Sequence, residues 1–132
     1  MMQRKMVGGQ NDLLVGIATA QWRWIVLAAC VPHLAWNLVL ALLAYLAPDF
    51  AGAAGSWVTA GVTILLTVFA ATGTTFAAEP SAALRHGVLV GVVAALIGLA
   101  FTGLTPAAVA IFGLTVAAGA AGGRLGGWLR GS

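Results

Sequence analysis

Charged residues are scarce in this chain. Six Lys and Arg and three Asp and Glu make up 7% of its 132 residues, whereas 61% are hydrophobic. A soluble domain carries roughly 25% charged residues, because its surface must face water. The composition therefore excludes an ordinary water-soluble globule and is typical of one domain, residues 1–132, whose solvent is lipid.

Cysteine and buried acids are also lacking. Cys30 is the single cysteine, which excludes an internal disulfide and a thiolate cluster. The three carboxylates, Asp12, Asp49 and Glu79, fall at or outside the edges of the apolar runs, and so do the three serines. Proton-coupled transport needs a buried carboxylate and nucleophilic catalysis an activated side chain. We therefore expect no enzymatic activity.

Long apolar runs are what the sequence does contain. A bilayer core of about 30 Å is crossed by about 20 apolar residues in a helix. Four runs meet this length approximately, at residues 25–46, 57–78, 87–103 and 106–123. Pro106 suits the first turn of the fourth helix. The sequence thus predicts an all-α integral membrane four-helix bundle, with a short interfacial helix within residues 11–21.

The positive charges fix an expected orientation. All six fall before span one, between spans two and three, or after span four: Arg4, Lys5, Arg23, Arg85, Arg124 and Arg130. Cytoplasmic loops of membrane proteins carry the excess of Lys and Arg. We expect both termini in the cytoplasm and the chain in the cytoplasmic (inner) membrane.

These basic residues also suggest what the protein meets at the membrane surface. They lie at helix ends rather than in the basic, aromatic-interleaved stripe of a nucleic-acid site, so no nucleic-acid partner is expected. Anionic lipid headgroups are the expected contact. The residues assigned to it are Arg23, Arg85, His86, Arg124 and Arg130.

Small residues at helical spacing predict where the helices pack. In a membrane, helices associate through close backbone approach and interhelical hydrogen bonds. Span four carries two such series, one through Ala110, Gly113, Ala117 and Ala121 and one through Gly119, Gly123 and Gly127. The residues assigned to packing are Thr59, Thr63, Thr67, Gly87, Gly91, Gly98, Gly113, Gly119 and Gly123. The surplus of such faces favours a homodimer or a larger membrane complex.

A polar group lies deep in span one. Cys30, His33 and Asn37 follow helical spacing, and Pro32 interrupts the helix hydrogen bonds beside them. An ionisable residue inside a membrane is a candidate functional site by default. The simplest interpretation is a neutral His33 hydrogen-bonded to a carbonyl freed by Pro32 or to a threonine of span two.

Two other interpretations of His33 stay open. It is a candidate ligand for haem or chlorophyll, although the second histidine, His86, lies at the edge of span three and at a different depth. Together with Asn37 and the face of Thr59, Thr63 and Thr67, it would line a channel. Cys30 and His33 alone are too few for a metal site, so neither metal nor cofactor is predicted.

One stretch resembles small uncharacterised four-span bacterial membrane proteins. It runs from Gly73-Thr-Thr-Phe-Ala-Ala through a short polar turn to Arg85-His86-Gly87-x-x-x-Gly91, and the Gly-Gly-Arg-Leu-Gly-Gly at residues 122–127 is similar to tails in that group. The resemblance implies a four-span topology and no activity.

The leading functional hypothesis is a non-enzymatic membrane scaffold or accessory subunit that packs through its Gly, Ala and Thr faces. The first alternative is a small oligomeric channel or transporter. The second is a haem- or pigment-binding subunit that uses His33.

Overall fold

The computed structural model describes residues 21–53, 56–76 and 80–131. Within these ranges the chain is helical. It forms α1 (Trp22–Leu46), α2 (Pro48–Ala53), α3 (Ser56–Thr75), a 3₁₀ turn (Pro80–Ala82), α4 (Ala83–Thr102) and α5 (Pro106–Gly131). The proposed helix within residues 11–21 lies outside the described residues, apart from Gln21.

Four of these helices, α1, α3, α4 and α5, are long and apolar enough to cross a membrane. Of the most apolar window of each, 22–33% of residues are buried inside the protein. Large apolar side chains therefore cover the outside, among them Leu34, Leu38, Phe69 and Phe101. An apolar exterior of this extent is unfavourable in water and suits hydrocarbon. The predicted all-α four-helix membrane bundle is confirmed.

Local chemistry accounts for the sharp turn between α4 and α5. Gly103 ends α4 with φ of 73°, a backbone conformation that favours glycine. Thr105 then caps α5, because its Oγ1 accepts a hydrogen bond from the Ala108 N–H at 3.1 Å. Pro106 occupies the first helical position, where its missing N–H costs no helix hydrogen bond.

Four helix ends lie three or more residues from the predicted spans, and one of them is the start of α1, at Trp22 instead of residue 25. Helix α4 begins four residues earlier than expected, at Ala83, and α5 continues to Gly131 instead of ending near residue 123. At 1.5 Å per residue they measure about 30 Å and 39 Å, so both cross a bilayer without thinning it. Helix α3 ends at Thr75, before the predicted residue 78. Hydropathy marks the apolar core, whereas backbone hydrogen bonding continues beyond it.

The helices are not arranged around the bundle in chain order. The most extensive interface joins α4 to α5, followed by α3 with α5, and α1 packs on α3 and α4. Going round the bundle, the order is therefore α1, α3, α5, α4. Gly87 lies against Gly123 and Gly91 against Thr115, so α4 and α5 are antiparallel. Val68 lies near Gly122 and Thr75 near Gly126, so α3 and α5 are parallel.

Two glycine faces of α5 hold one half of the bundle together. A methyl group added at Gly119 or Gly123 would collide with the backbone of α4, at Gly87 and Gly91 or at Ala83 and Gly87. Added at Gly122 or Gly126, it would collide with α3. We call this region the glycine half: Val68–Thr75 of α3, Ala83–Gly91 of α4 and Gly119–Gly126 of α5. Glycine is required here because the backbones themselves are in contact.

Candidate functional site

A cavity of about 480 Å³ lies in the other half of the bundle. We call that region the cavity half: His33–Asn37 of α1, Thr59–Thr63 of α3, Ala94–Thr102 of α4, and Thr105 with Ala107–Thr115 of α5. All four long helices contribute to the wall. Beyond the glycine faces, alanines with Leu99, Phe101, Ile111 and Phe112 line the space between the helices. The volume lies within the range of about 300–1,000 Å³ typical of small-molecule sites.

His33 is held in the cavity wall by a bond to the neighbouring helix. Its Nε2 lies 2.9 Å from the carbonyl oxygen of Ala94 in α4. A carbonyl only accepts, so Nε2 carries the proton and Nδ1 of the neutral ring is left as an acceptor. The expected partner, a kink carbonyl of span one or a threonine of span two, was wrong. Gly98 lacks a side chain, which leaves room for the imidazole; a Cβ there would lie 3.7 Å from His33 Cε1.

Trp36 lines the same wall. Its Nε1 is buried, and no described residue accepts a hydrogen bond from it. A buried donor without an acceptor costs about 1–3 kcal/mol. Because it is three residues from His33 on α1, its side chain shares that helix face. Because Nε1 is closed to a water-sized molecule, it does not open onto the cavity, although other atoms of Trp36 line the wall.

The other polar groups of the wall mostly bond within their own helices. Thr63 donates to the Thr59 carbonyl at 2.8 Å, and Thr115 donates to that of Ile111 at 2.8 Å. Asn37 Nδ2 donates to the His33 carbonyl at 2.7 Å. No Asp, Glu, Lys or Arg of the described chain lines this cavity. The wall thus suits a neutral, mainly apolar molecule rather than an ion.

The structure offers little to a metal ion. No group of three His, Cys, Asp or Glu side chains comes together within the described ranges. Cys30 is half-buried and has a free thiol, and it does not line the cavity. A haem or chlorophyll at His33 would have to bind Nδ1, or break the bond between Nε2 and Ala94.

The predicted packing residues divide between the two halves. Gly87, Gly91, Gly119 and Gly123 meet in the glycine half, and Thr67 is fully buried at its border. Thr59, Thr63 and Gly98 line the cavity instead. Gly113 does not fit the expectation: it is exposed, and nothing lies within 4 Å of the position of its Cβ. Its series faces away from α3 and α4, because α5 turns its other glycine faces to them.

His86 also differs from its predicted role at lipid headgroups. Only 7% of its surface is exposed. Its Nδ1–H donates to the Ala82 carbonyl at 3.1 Å, and its Nε2 accepts from the Gln21 N–H at 3.4 Å. The ring therefore joins the start of α4 to the start of α1. A histidine four residues into a helix faces inward or outward depending on the packing of its neighbours, which the sequence alone does not reveal.

The arginines lie at the end of the bundle next to the glycine half. Arg23, Arg85, Arg124 and Arg130 are exposed. Arg130 Nη1 also approaches the carbonyl of Thr75, at 3.5 Å, where α3 ends. The starts of α1 and α4 and the end of α5 therefore gather the described positive charge at one end.

Sequence reasoning missed three important residues. Gly122 and Gly126 contact α3, and the spacing Ala118-x-x-x-Gly122-x-x-x-Gly126 carried that signal in the sequence. Trp36 was missed because tryptophan in a membrane protein usually lies at the membrane–water interface, whereas the Nε1 of Trp36 is buried in the bundle. No local pattern announces the cavity, since residues of four separate helices line it.

The fold defines the class: this is a multi-pass α-helical membrane protein with a cavity between its helices. Comparison with models of protein families, with curated proteins and with solved structures found no match.

Proposed function

We propose that this chain is a non-enzymatic integral membrane protein that binds a small lipophilic molecule within the bilayer, as an accessory subunit rather than as a catalyst. The observation that carries the proposal is the cavity of about 480 Å³, whose wall is mainly apolar and includes no Asp, Glu, Lys or Arg of the described residues. Its volume lies within the range of small-molecule sites, which are mostly apolar concavities between helices or domains.

Filling the cavity tests this proposal. Gly98→Leu would extend a side chain from α4 into the space beside His33. Gly61→Leu is the matched control, because Gly61 is an exposed helical glycine with nothing within 4 Å of its Cβ position. Each protein is purified in mild detergent, and its bound small molecules are extracted and identified by mass spectrometry.

We expect one lipophilic compound to accompany the native protein and the Gly61→Leu variant, and to be lost from Gly98→Leu. Equal amounts in all three preparations would place the compound outside the cavity and overturn the proposal. Circular dichroism of each variant establishes that its helices are intact.

A scaffold function is favoured by a separate observation. Ala110, Gly113, Ala117 and Ala121 of α5 are exposed, although small residues at this spacing commonly let helices approach. In this candidate function a second copy or a larger membrane complex covers that face. Crosslinking in native membranes tests it: Gly113→Leu should abolish a crosslinked dimer and Gly61→Leu should retain it, whereas no dimer with either variant or the native chain excludes self-association.

The geometry gives less support to the other two functions. A channel through a single chain would have to pass the glycine half, where backbones of α4 and α5 touch, so its path would need to lie between protomers. A haem or pigment site would have to use the Nδ1 of His33 or break the bond between Nε2 and the Ala94 carbonyl. A colourless purified protein would end that alternative.

We propose further that the arginine-bearing end faces the cytoplasm and contacts anionic headgroups of the inner membrane, in accordance with the positive-inside rule. An impermeant thiol reagent applied to intact cells tests the orientation in a Cys30→Ala background. It should label Asp49→Cys and leave Arg85→Cys unlabelled; the reverse pattern would invert the topology, and labelling of both would contradict the four-span arrangement.

A further inference from the structure

We infer that a groove between α1 and α3 binds one anionic phospholipid, with an acyl chain in the groove and the phosphate at the guanidinium of Arg130. We call it the lipid groove. It holds about 310 Å³, and its walls include Trp24, Leu27 and Val31 of α1 and Ala70, Gly73 and Thr74 of α3. It shares no residue with the cavity. This inference rests on the proposed contact with anionic headgroups and assigns that contact to one site.

The lipid groove suits hydrocarbon. Gly73 has no side chain and nothing lies within 4 Å of the position of its Cβ, while Trp24 and Val31 are exposed on the facing helix. The one hydroxyl of the groove, on Thr74, already donates to the Ala71 carbonyl at 2.9 Å. At 1.5 Å per residue the groove extends about 10 Å along α1, most of one leaflet of a core of about 30 Å. It therefore accommodates part of an acyl chain and leaves the headgroup outside.

Positive charge lies at one end of the lipid groove. The Nη1 of Arg130 is 3.5 Å from the carbonyl oxygen of Thr75, the residue after Thr74. Arg23 directly precedes Trp24 in the chain, and its side chain is exposed. Both walls of the groove thus end beside an arginine, at the level where a lipid with its chain in the groove places its phosphate.

Charge complementarity selects an anionic lipid. Asp49 is the single carboxylate among the described residues and lies beyond the far end of α1, so no described acid neutralises the arginines. A guanidinium presents a planar fork of N–H donors that matches phosphate oxygens. Basic sites between helices on the cytoplasmic side bind anionic lipid headgroups. A zwitterionic lipid brings the same phosphate together with an ammonium group, which the second arginine repels.

Native mass spectrometry of the delipidated protein tests the inference. The chain is titrated with phosphatidylglycerol or with phosphatidylcholine of identical acyl chains, and the population with one bound lipid gives the affinity. We expect about fivefold tighter binding of phosphatidylglycerol, the effect of one arginine at the membrane surface. Arg130→Gln should remove that preference. Arg124→Gln should keep it, because Arg124 is exposed on the same helix but follows Gly123, which packs on α4.

Blocking the groove tests the position of the acyl chain. Gly73→Leu fills the lipid groove and should abolish the preference for phosphatidylglycerol. Gly61→Leu is the matched control, because Gly61 is an exposed glycine of the same helix, has nothing within 4 Å of its Cβ position and lines neither the groove nor the cavity. Gly98→Leu, which fills the cavity, should retain the preference, so these results are independent of the cavity ligand.

The outcomes separate the two levels of the argument. Equal binding of the two lipids to the native protein would overturn both the site and the proposed headgroup contact. Equal loss of the preference in Arg130→Gln and Arg124→Gln would overturn the site and leave a general attraction of headgroups standing. A dimer that binds no phosphatidylglycerol and is dissociated by Gly73→Leu would mean that a second copy covers the groove. Should Arg130→Gln fail to fold, the native comparison of the two lipids and the pair Gly73→Leu and Gly61→Leu still decide the inference.

Discussion

The glycine half and the cavity half use the same four helices and differ in what stands between them. In the glycine half, Gly87 and Gly91 leave nothing between the backbones of α4 and α5. In the cavity half the facing positions carry larger side chains, among them Leu99, Ile111 and Phe112, and a space of about 480 Å³ remains. The backbones of the helices are thus in contact at one end of the bundle, whereas a cavity lies between the helices at the other end.

The difference shows how a small membrane chain combines stability with a binding site. In lipid there is no hydrophobic driving force between helices, so tight van der Waals contact has to supply the association. Concentrating that contact at the arginine-bearing end leaves the cavity half free to enclose a space beside His33. The glycine half stabilises the bundle, and the cavity half carries the candidate function.

The largest effect is expected from bulk in the glycine half. Gly119→Leu would drive a side chain into the backbone of α4 at Gly87 and Gly91. Helix separation should destabilise the protein by about 3 kcal/mol or more, toward the upper end of overpacking effects. Reversible unfolding in mixed micelles measures the loss. Gly113→Leu on the same helix is the control, with an expected change within about 0.5 kcal/mol; equal losses would mean that the two halves are not distinct.

A smaller pair of substitutions places one methyl group in each half of α4. Gly91→Ala puts a Cβ 2.9 Å from the Thr115 carbonyl oxygen and should cost about 1–2 kcal/mol. Gly98→Ala puts one 3.7 Å from His33 Cε1, which is ordinary contact. It should stabilise the helix by about 0.5–1 kcal/mol, because alanine loses less backbone entropy than glycine. The unfolding free energies of the two variants should therefore change with opposite signs. A change of the same sign in both would contradict the division of α4 into a glycine half and a cavity half.

The bond between α1 and α4 should contribute moderately. His33→Leu replaces the imidazole with an apolar side chain of similar size, which removes the donor to the Ala94 carbonyl. Interhelical hydrogen bonds in membrane proteins contribute about 0.6 kcal/mol on average, with a maximum of about 1.7, so a loss of about 1 kcal/mol is expected. Asn37→Leu serves as control, since Asn37 bonds within α1 and is exposed. A loss for Asn37→Leu as large as that for His33→Leu would show that polar groups of α1 act generally and not through Ala94.

The smallest effect is expected from Thr63. Its hydroxyl donates to the Thr59 carbonyl of the same helix, so Thr63→Val removes no contact between helices. The unfolding free energy should change by less than about 0.5 kcal/mol. A loss above 1 kcal/mol would assign the hydroxyl a structural role between helices.

The all-α membrane fold was predictable because apolar runs of helical length have few alternatives in a bilayer. Helix ends were less accurate: α5 continues through Gly126 and Gly131, where glycines weaken the hydropathy signal without breaking the helix. The face through Gly119 and Gly123 has the spacing of close approach. The second face, through Gly122 and Gly126, overlaps it in sequence and was overlooked.

The candidate site was only half visible in the sequence. His33 stood out as an ionisable residue in an apolar run, but its partner, Ala94, is a backbone carbonyl 61 residues away that no side-chain pattern marks. The exposure of Gly113 and the burial of His86 could not be predicted for a related reason, since the rotation of a helix about its axis is set by all its neighbours together. The position and size of a cavity between helices depend on these helix rotations as well.

Reactivity of single cysteines one helical turn apart tests the boundary between the halves most directly. Thr63 lines the cavity, whereas Thr67 on the same face of α3 has 0% of its surface exposed. In a Cys30→Ala background, Thr63→Cys and Thr67→Cys are treated with N-ethylmaleimide in intact membranes, and full reaction after denaturation in detergent serves as the reference. The account predicts rapid labelling of Thr63→Cys and protection of Thr67→Cys; equal labelling, or faster labelling at position 67, would contradict it.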